Sequence, residues 1–138
     1  MILLDAYALI AFLVGGPAAT HVRSILRAGD AAVTTANLAE AFDVSERIHR
    51  VPITRAAAAL DPLFEGALRA IPLDIATARR AAELRARYYH RASRPISLAD
   101  AVLIASTGVS DGLATADPDV IAVAEAESIE CVRLPQQG

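Results

Sequence analysis

The sequence predicts an α/β fold in which helices cover both faces of a mainly parallel central sheet. Three observations predict it: the chain has 138 residues, 54% of them are hydrophobic, and short apolar runs alternate with helical patterns along its length. A chain of this length is typical of one domain and buries roughly two thirds of its unfolded surface. Strands buried on both faces of a sheet appear as continuous apolar runs. We therefore expect one domain over residues 1–134 and a short tail over residues 135–138.

The first half of the chain opens with the apolar run Met1–Leu4, which predicts a buried strand ending at Asp5. Glycine and proline then stand together at residues 15–17, where they interrupt a helix. After the first strand we expect helix Ala6–Val14, helix Pro17–Ala28, strand Ala31–Thr34, helix Ala36–Arg50 and helix Thr54–Arg69. Pro62 lies inside the last of these helices, so we predict a kink or break near Leu60.

The second half of the chain continues the alternation of strands and helices. We expect an edge strand Ile71–Leu73, helix Ile75–Arg91, helix Ser97–Thr107, strand Gly112–Thr115, helix Pro118–Ala126 and strand Ile129–Leu134. Proline is tolerated in an edge strand, which accommodates Pro72. The helix that starts at Ile75 has a regular apolar face at helical spacing, formed by Ile75, Ala78, Ala82, Ala86 and Tyr89.

The composition excludes several kinds of active site. All thirteen basic residues are arginine, so the chain has no lysine for a Walker-A motif, a Schiff base or a Ser/Lys dyad. With one cysteine, Cys131, and three histidines without paired spacing, we expect no zinc site. The formal net charge of −3 does not by itself indicate a nucleic-acid-binding protein, so any polyanion must be held locally.

We expect no membrane segment and a cytoplasmic location. The longest apolar run, Ala8–Val14, is much shorter than the ~20 residues needed to cross a bilayer. The N-terminus has no basic region and carries Asp5 where a signal peptide would be apolar.

Acidic residues stand where ligands bind in an open α/β sheet, beyond the carboxyl ends of the strands. Four of them lie at predicted strand ends or helix starts: Asp5, Glu40, Asp100 and Asp117. Each also has a local explanation as a helix cap. Asp5 precedes a helix, Asn37 to Glu40 and Ser97 to Asp100 have the spacing of a capping box, and Asp117 precedes a proline.

Capping alone does not explain why four helix starts should meet at one edge of a sheet. Two carboxylates ~4 Å apart repel by roughly 4 kcal/mol at an effective dielectric of ~20, whereas a helix N-terminus offsets only ~0.3–1 kcal/mol. The compensating cation must therefore be an arginine or a metal ion. An all-oxygen acidic cluster suits Mg²⁺ or Mn²⁺, which points to hydrolysis of phosphodiesters.

These residues resemble the motifs of PIN domains, and more narrowly of the toxin ribonucleases of VapBC toxin-antitoxin pairs. The similarity covers nearly the whole chain, and four segments carry it: Leu3–Asp5, Asn37–Ala41, Ser97–Ala105 and Leu113–Asp119. The resemblance implies an α/β/α fold, cleavage of RNA that depends on Mg²⁺ or Mn²⁺, a homodimer, and neutralisation by a small protein antitoxin. It places Asp5, Glu40, Asp100 and Asp117 in the metal-binding, catalytic positions, Thr115 as a supporting hydroxyl and Asp119 as an accessory acid.

One departure from the family pattern leaves an alternative open. Many members have a serine or threonine after the first aspartate, whereas this chain has Ala6 and Tyr7. The alternative is a PIN-like binding or regulatory module with weak or no catalysis. A stripe of arginines at 80, 87 and 91 is either a surface for RNA phosphates or a solvated helix face.

Overall fold

The computed structural model describes residues 1–136, so residues 137 and 138 of the expected tail lie outside it. In chain order the elements are β1 (Ile2–Leu4), α1 (Ala6–Val14), α2 (Ala19–Arg27), β2 (Ala31–Thr34), α3 (Thr35–Arg47), α4 (Ile53–Leu60), a 3-10 helix (Asp61–Glu65), β3 (Leu68–Ile71), α5 (Ile75–Tyr88), α6 (Leu98–Ser106), β4 (Gly112–Thr115), α7 (Pro118–Ala126) and β5 (Glu130–Arg133).

The five strands form one sheet with the order β3-β2-β1-β4-β5, and every neighbouring pair is parallel. The central strand β1 pairs through Leu3 with Ala32 of β2 on one side and with Leu113 of β4 on the other. All five carboxyl ends therefore lie at the same edge of the sheet. The predicted α/β class with a parallel central sheet is confirmed.

Alternating side chains of the strands build a core on each face of the sheet. Leu4 and Val33 pack with α1 and α2 on one face. Leu3 and Leu113 pack with α6 and α7 on the opposite face. Each buried leucine contributes about 1.5–3 kcal/mol relative to an exposed one. Helices thus cover both faces, as the apolar strand pattern predicts.

The region from 53 to 73 differs from the sequence prediction. The predicted break near Leu60 is confirmed, because α4 ends there and a 3-10 helix containing Pro62 follows. The predicted continuation of the helix to Arg69 is wrong. After Gly66 the chain enters strand β3 at residues 68–71, so the edge strand precedes Pro72 instead of containing it. Proline cannot donate to a strand ladder, which accounts for the strand ending before it.

Three further helices begin or end two or more residues inside their predicted bounds, and α6 is one residue shorter at each end. Helix α2 begins at Ala19 because Pro17 lies in a turn, and α5 ends at Tyr88 because residues 90–94 form a tight turn closed by backbone bonds. Helix α3 ends at Arg47, and Arg50 adopts a left-handed φ of 59° that a helix cannot contain. The bounds of α1, β2, β4 and α7 are those predicted from the sequence.

The regular apolar face of α5 is exposed to solvent. Ile75 is 82% exposed and Tyr89, which follows the helix, is 42% exposed, whereas Ala81 and Leu84 are the buried residues of α5. Helix α5 therefore packs against the rest of the fold through a different face from its most regular apolar stripe. The side chains of this stripe are available to a partner.

Within residues 1–136, no single helix is long and apolar enough to cross a membrane; α1 and α2 pass the test together but are bent by 103° at their junction.

Candidate active site

The topology of the sheet brings two of the acidic residues together. From β1 the chain proceeds outward through β2 and β3, then returns to place β4 on the other side of β1. The carboxyl ends of β1 and β4 form the point where the strand order reverses, which is where ligands bind in open α/β sheets. Asp5 follows β1, and Asp117 lies two residues after β4. The pairing of Leu4 with Ala114 holds these two ends side by side.

A pocket of about 480 Å³ lies at this point of the sheet. The acidic residues that line it are Asp5, Glu40, Asp100 and Asp117, and we call it the acid pocket. Helices α3 and α6 contribute Glu40 and Asp100, so four separate segments of the chain converge on one cavity. The half-buried Asp119 does not line the pocket, although its charge acts on Asp100.

Thr115 lies beneath the pocket and is fully buried. Its hydroxyl accepts a hydrogen bond of 3.1 Å from the backbone N–H of Asp117. The same hydroxyl stabilises the ionised form of Asp5 and thereby lowers its pKa. Thr115 thus connects the two acids that follow β1 and β4.

Asp5 and Asp117 also cap the helices that they precede. Asp5 Oδ1 accepts from the N–H of Ala8 at 2.8 Å, and Asp117 Oδ1 accepts from the N–H of Asp119 at 2.9 Å. These bonds use one carboxylate oxygen of each residue and fix its orientation at the start of α1 or α7.

Asp100 takes part in a complete capping box at the start of α6. Ser97 Oγ accepts from the N–H of Asp100 at 3.0 Å, and Asp100 Oδ2 accepts from the N–H of Ser97 at 3.1 Å. The spacing of these two residues predicts this arrangement correctly. It also places both side chains at the wall of the acid pocket.

The capping box predicted from Asn37 and Glu40 is wrong. Thr34 caps α3 instead, because the helix begins at residue 35 and the Thr34 hydroxyl accepts from the N–H of Asn37 at 3.0 Å. Asn37 is buried in the first turn, and its Nδ2 has no hydrogen-bond partner among residues 1–136. Glu40 therefore lies beyond the cap, and helix capping does not explain its position in the pocket.

Asp5 is only 5% exposed, and burial raises the pKa of its carboxyl from 3.8 to about 7. Hydrogen bonds from Thr115 and Ala8 lower this pKa, while the charges of Asp100 and Glu40 raise it. Burial dominates because removing a carboxylate from water disfavours its charged form. Keeping Asp5 ionised in this site therefore lowers the stability of the folded state.

The pKa values of Glu40 and Asp100 are raised as well. For Glu40 the causes are burial, then the charges of Asp100 and Asp43. Burial is also the largest cause for Asp100, and the charges of Asp117 and Asp119 add to it, against hydrogen bonds from Ser97 that lower the pKa. These carboxylates therefore act on one another electrostatically, each disfavouring ionisation of its neighbours.

No arginine lines the acid pocket in the described part of the chain. Two members of the arginine stripe, Arg80 and Arg87, form ion pairs with Glu127 just beyond the C-terminal end of α7. Asp117 caps the other end of that helix. These arginines therefore connect α5 to α7 and do not neutralise the acids.

The donor chemistry of the pocket fits a hydrated divalent cation. Within residues 1–136, no three acidic, histidine or cysteine side chains are arranged to enclose a metal ion by themselves. Mg²⁺ does not need such a cage, because it keeps several waters and is bound by one or two carboxylates together with substrate phosphates. Asp5, Asp100, Asp117 and Glu40 offer the oxygen donors that this mode of binding requires.

Tyr7 and Gln136 also line the pocket. The sequence offers the Tyr7 phenol as a replacement for the hydroxyl that many family members carry after the first aspartate, whereas it does not single out Gln136. The Tyr7 hydroxyl donates to the carbonyl of Pro135 at 2.7 Å, so it does not replace a hydroxyl that could orient water. Gln136 lies at the pocket wall, and its Nε2 donates to the carbonyl of Ala116 at 3.0 Å. From the sequence, the polar composition of residues 135–138 indicates only a tail. The contact of Gln136 with Ala116 could not be predicted, because it depends on where β5 ends in the sheet.

Known proteins share this fold. The family model described as the PIN domain matches residues 2–126. Among solved structures, VapBC2 from Rickettsia felis, bound to a DNA fragment from its promoter, has 14% identity, covers 98% of this chain and 100% of that chain, and gives a TM-score of 0.69. FitAcB from Neisseria gonorrhoeae has 23% identity, coverages of 96% and 97%, and a TM-score of 0.66. VapC20 from Mycobacterium tuberculosis, a sarcin-ricin loop cleaving toxin, has 18% identity, coverages of 76% and 79%, and a TM-score of 0.61. No curated protein matches the sequence significantly.

Proposed function

The chain belongs to the PIN-domain family, and we propose that it is an endoribonuclease that depends on Mg²⁺ or Mn²⁺ and hydrolyses RNA phosphodiester bonds. The observation that carries the proposal is the convergence of four carboxylates on one pocket whose described lining contains no arginine. Because burial and mutual repulsion raise the pKa values of three of them, the pocket favours a bound divalent cation.

Asp5, Glu40, Asp100 and Asp117 would hold the cation. When bound, the cation supplies a water of lowered pKa and neutralises charge that develops on the phosphate. The caps of α1, α6 and α7 orient three of the carboxylates before substrate arrives, and Thr115 supports two of them from below. No side-chain nucleophile is needed, and the Tyr7 hydroxyl is already bonded to Pro135.

We further propose that the protein is the toxin of a toxin-antitoxin pair and acts in the cytoplasm. VapC20 is described as a toxin that cleaves the sarcin-ricin loop, and another similar structure, from Klebsiella pneumoniae, is a toxin-antitoxin complex with 21% identity and a TM-score of 0.64. A small antitoxin would cover a cleft of about 280 Å³ between α1 and α3. This cleft adjoins the acid pocket, because Tyr7 and Glu40 line both.

A homodimer is the second proposed assembly. The exposed apolar stripe of α5 lies next to Leu98 at the start of α6, which is 60% exposed. Exposed apolar side chains that are contiguous are typical of interaction surfaces. Sedimentation of the purified protein tests this assembly directly.

Cleavage of RNA by single-residue variants tests the nuclease. Asp5→Asn and Asp100→Asn should abolish Mn²⁺-dependent cleavage while the circular dichroism spectrum stays that of the native protein. Asp74→Asn is the matched control for Asp5→Asn. Asp74 caps α5 by the same kind of bond, since its Oδ1 accepts from the Thr77 N–H at 2.8 Å, but it does not line the pocket. Unchanged cleavage by Asp5→Asn or Asp100→Asn would show that these residues are not the catalytic acids.

The alternative function, a PIN-like module that binds without catalysis, predicts a different result. In that case millimolar Mn²⁺ would not raise the melting temperature, and structured RNAs would remain intact. A nuclease should instead show a rise in melting temperature that is lost in the Asp5→Asn/Asp117→Asn double variant, because only the native state binds the metal.

A further inference from the structure

Another cleft, of about 400 Å³, adjoins the acid pocket on the side of α7 and β5, and we call it the side cleft. Ala116, Pro118 and Gln136 line both cavities, so the two lie side by side. The size of this side cleft lies within the roughly 300–1,000 Å³ of pockets that bind small molecules.

The side cleft combines an apolar wall with one ion pair, formed by Arg133 and Glu125. Ile121 and Leu134, which are 9% and 5% exposed, contribute the apolar wall. Arg133 lies at its edge and is paired in the sheet with Thr115, the residue beneath the acid pocket. Neighbouring strands are about 4.8 Å apart. The backbone of Arg133 therefore lies directly beside β4, the strand that leads to Asp117.

A polyanion at the acid pocket needs a cation nearby, because the charged side chains that line the pocket within residues 1–136 are all carboxylates. Among the described residues, the cleft on the opposite side, lined by Ile10, Val44 and Glu40, has no arginine to supply it. Arg133 lies on the side of α7, where it pairs with Glu125 at 2.6 Å. Both side chains are more than half exposed, and exposed ion pairs are weak, so a phosphate can displace Glu125 from Arg133.

We propose that the side cleft binds the nucleotide next to the scissile phosphate of an RNA strand, with Arg133 contacting its phosphate and Ile121 and Leu134 contacting its base or sugar. The proposal rests on the ribonuclease function proposed above. Gln136 lines both cavities, and it is held by its bond to Ala116 and by the bond from Tyr7 to Pro135. Its side-chain amide is placed to contact the same nucleotide.

Salt dependence of RNA binding tests the role of Arg133. The probe is a short fluorescein-labelled single-stranded RNA of mixed sequence, titrated with the full chain in EDTA so that binding is measured without cleavage. A contact to one phosphate contributes about 0.7 to the slope of log affinity against log salt for single strands, so Arg133→Gln should reduce the slope by about 0.7. Glu125→Gln should strengthen binding, because it removes the carboxylate that competes for Arg133.

The opposite effects of Arg133→Gln and Glu125→Gln on RNA affinity distinguish a role of Arg133 in binding from a role in stabilising the fold. If the ion pair only stabilised the fold, both variants would weaken the protein and neither would strengthen RNA binding. Arg87→Gln is the control, since Arg87 is 66% exposed like Arg133 and is also paired with a glutamate near the end of α7. It should leave the slope unchanged.

Cleavage in Mn²⁺ distinguishes failure of this subsite from failure of the proposed function. Arg133→Gln should raise KM with little change in kcat, because the contact is present in both the ground state and the transition state. If the wild-type protein binds and cleaves RNA but Arg133→Gln behaves identically, the subsite is overturned and the nuclease stands. If the wild-type protein neither binds nor cleaves RNA, the function and the subsite both fall.

Discussion

Replacing Asp5 by asparagine should stabilise the protein in the absence of metal. Burial raises the pKa of this carboxyl from 3.8 to about 7, a difference of about 3 units. Each unit corresponds to about 1.4 kcal/mol, so the ionised carboxylate costs the native state about 4 kcal/mol above pH 7. Asparagine has the same shape and is an equally good N-cap, so its side-chain oxygen retains the bond from Ala8. The variant removes the charge and keeps the cap.

The sign of the pH dependence follows from proton linkage. Because the folded pKa of Asp5 is raised, the native state binds this proton more tightly than the unfolded chain does. The contribution of Asp5 to the stability of the wild-type protein should therefore fall as the pH rises from about 4 to about 7, and it should then level off. The advantage of Asp5→Asn should be close to zero near pH 4 and reach about 4 kcal/mol above pH 7.

Urea unfolding in EDTA, followed by circular dichroism across this pH range, measures the difference between the two proteins. Asp74→Asn should behave in the opposite way, because a backbone hydrogen bond from Thr77 lowers the pKa of Asp74 and so stabilises its ionised form. Saturating Mn²⁺ should narrow the advantage of Asp5→Asn, since metal at 100 times its Kd stabilises the wild-type protein by about 2.7 kcal/mol. An advantage of Asp5→Asn that is absent above pH 7 or independent of pH would refute the desolvation argument.

Three further substitutions test other contacts of the site and surface. Thr115→Val should lower the free energy of unfolding by about 1–3 kcal/mol, because it leaves the Asp117 N–H without its partner; a urea titration showing no loss would contradict this role. Tyr7→Phe should lower the free energy of unfolding by about 0.5–1.5 kcal/mol, since it removes the bond to Pro135. Hydrogen exchange should become faster in the segment that follows β5, and unchanged exchange would mean that other contacts hold that segment. Ile75→Glu should produce a folded monomer in sedimentation without loss of stability, because Ile75 is 82% exposed; a dimer that persists would place the interface elsewhere.

The sequence predicts the three central strands, β1, β2 and β4, well because they are buried on both faces of the sheet. Continuous apolar runs such as Ala31–Thr34 and Gly112–Thr115 leave little choice of conformation or of bounds. The errors fall where local pattern and tertiary packing disagree. The apolar stripe of α5 has the regular helical spacing of a buried face, yet the fold buries Ala81 and Leu84. Periodicity identifies an amphipathic helix but does not identify which surface covers it.

For the candidate site, the sequence predicts the residue types better than their surroundings. Four acids at strand ends and helix starts can be found without a structure, because parallel strands share one carboxyl edge. The contact of Tyr7 with Pro135 joins residues 128 positions apart, so no local pattern predicts it. The ion pairs of Arg80 and Arg87 with Glu127 depend on how α5 packs beside α7, which the sequence does not specify.

Helix capping and metal binding are not competing explanations for the acids of this pocket. A carboxylate has two oxygens, and the cap bonds of Asp5 and Asp117 each use only Oδ1. The cap holds the side chain in one orientation, so it lowers the conformational entropy lost when the other oxygen binds a cation. Glu40 has no cap to explain its place, and burial raises its pKa without any arginine in the described lining to compensate. Its position therefore supports the proposed cation site more than the positions of the three capping acids do.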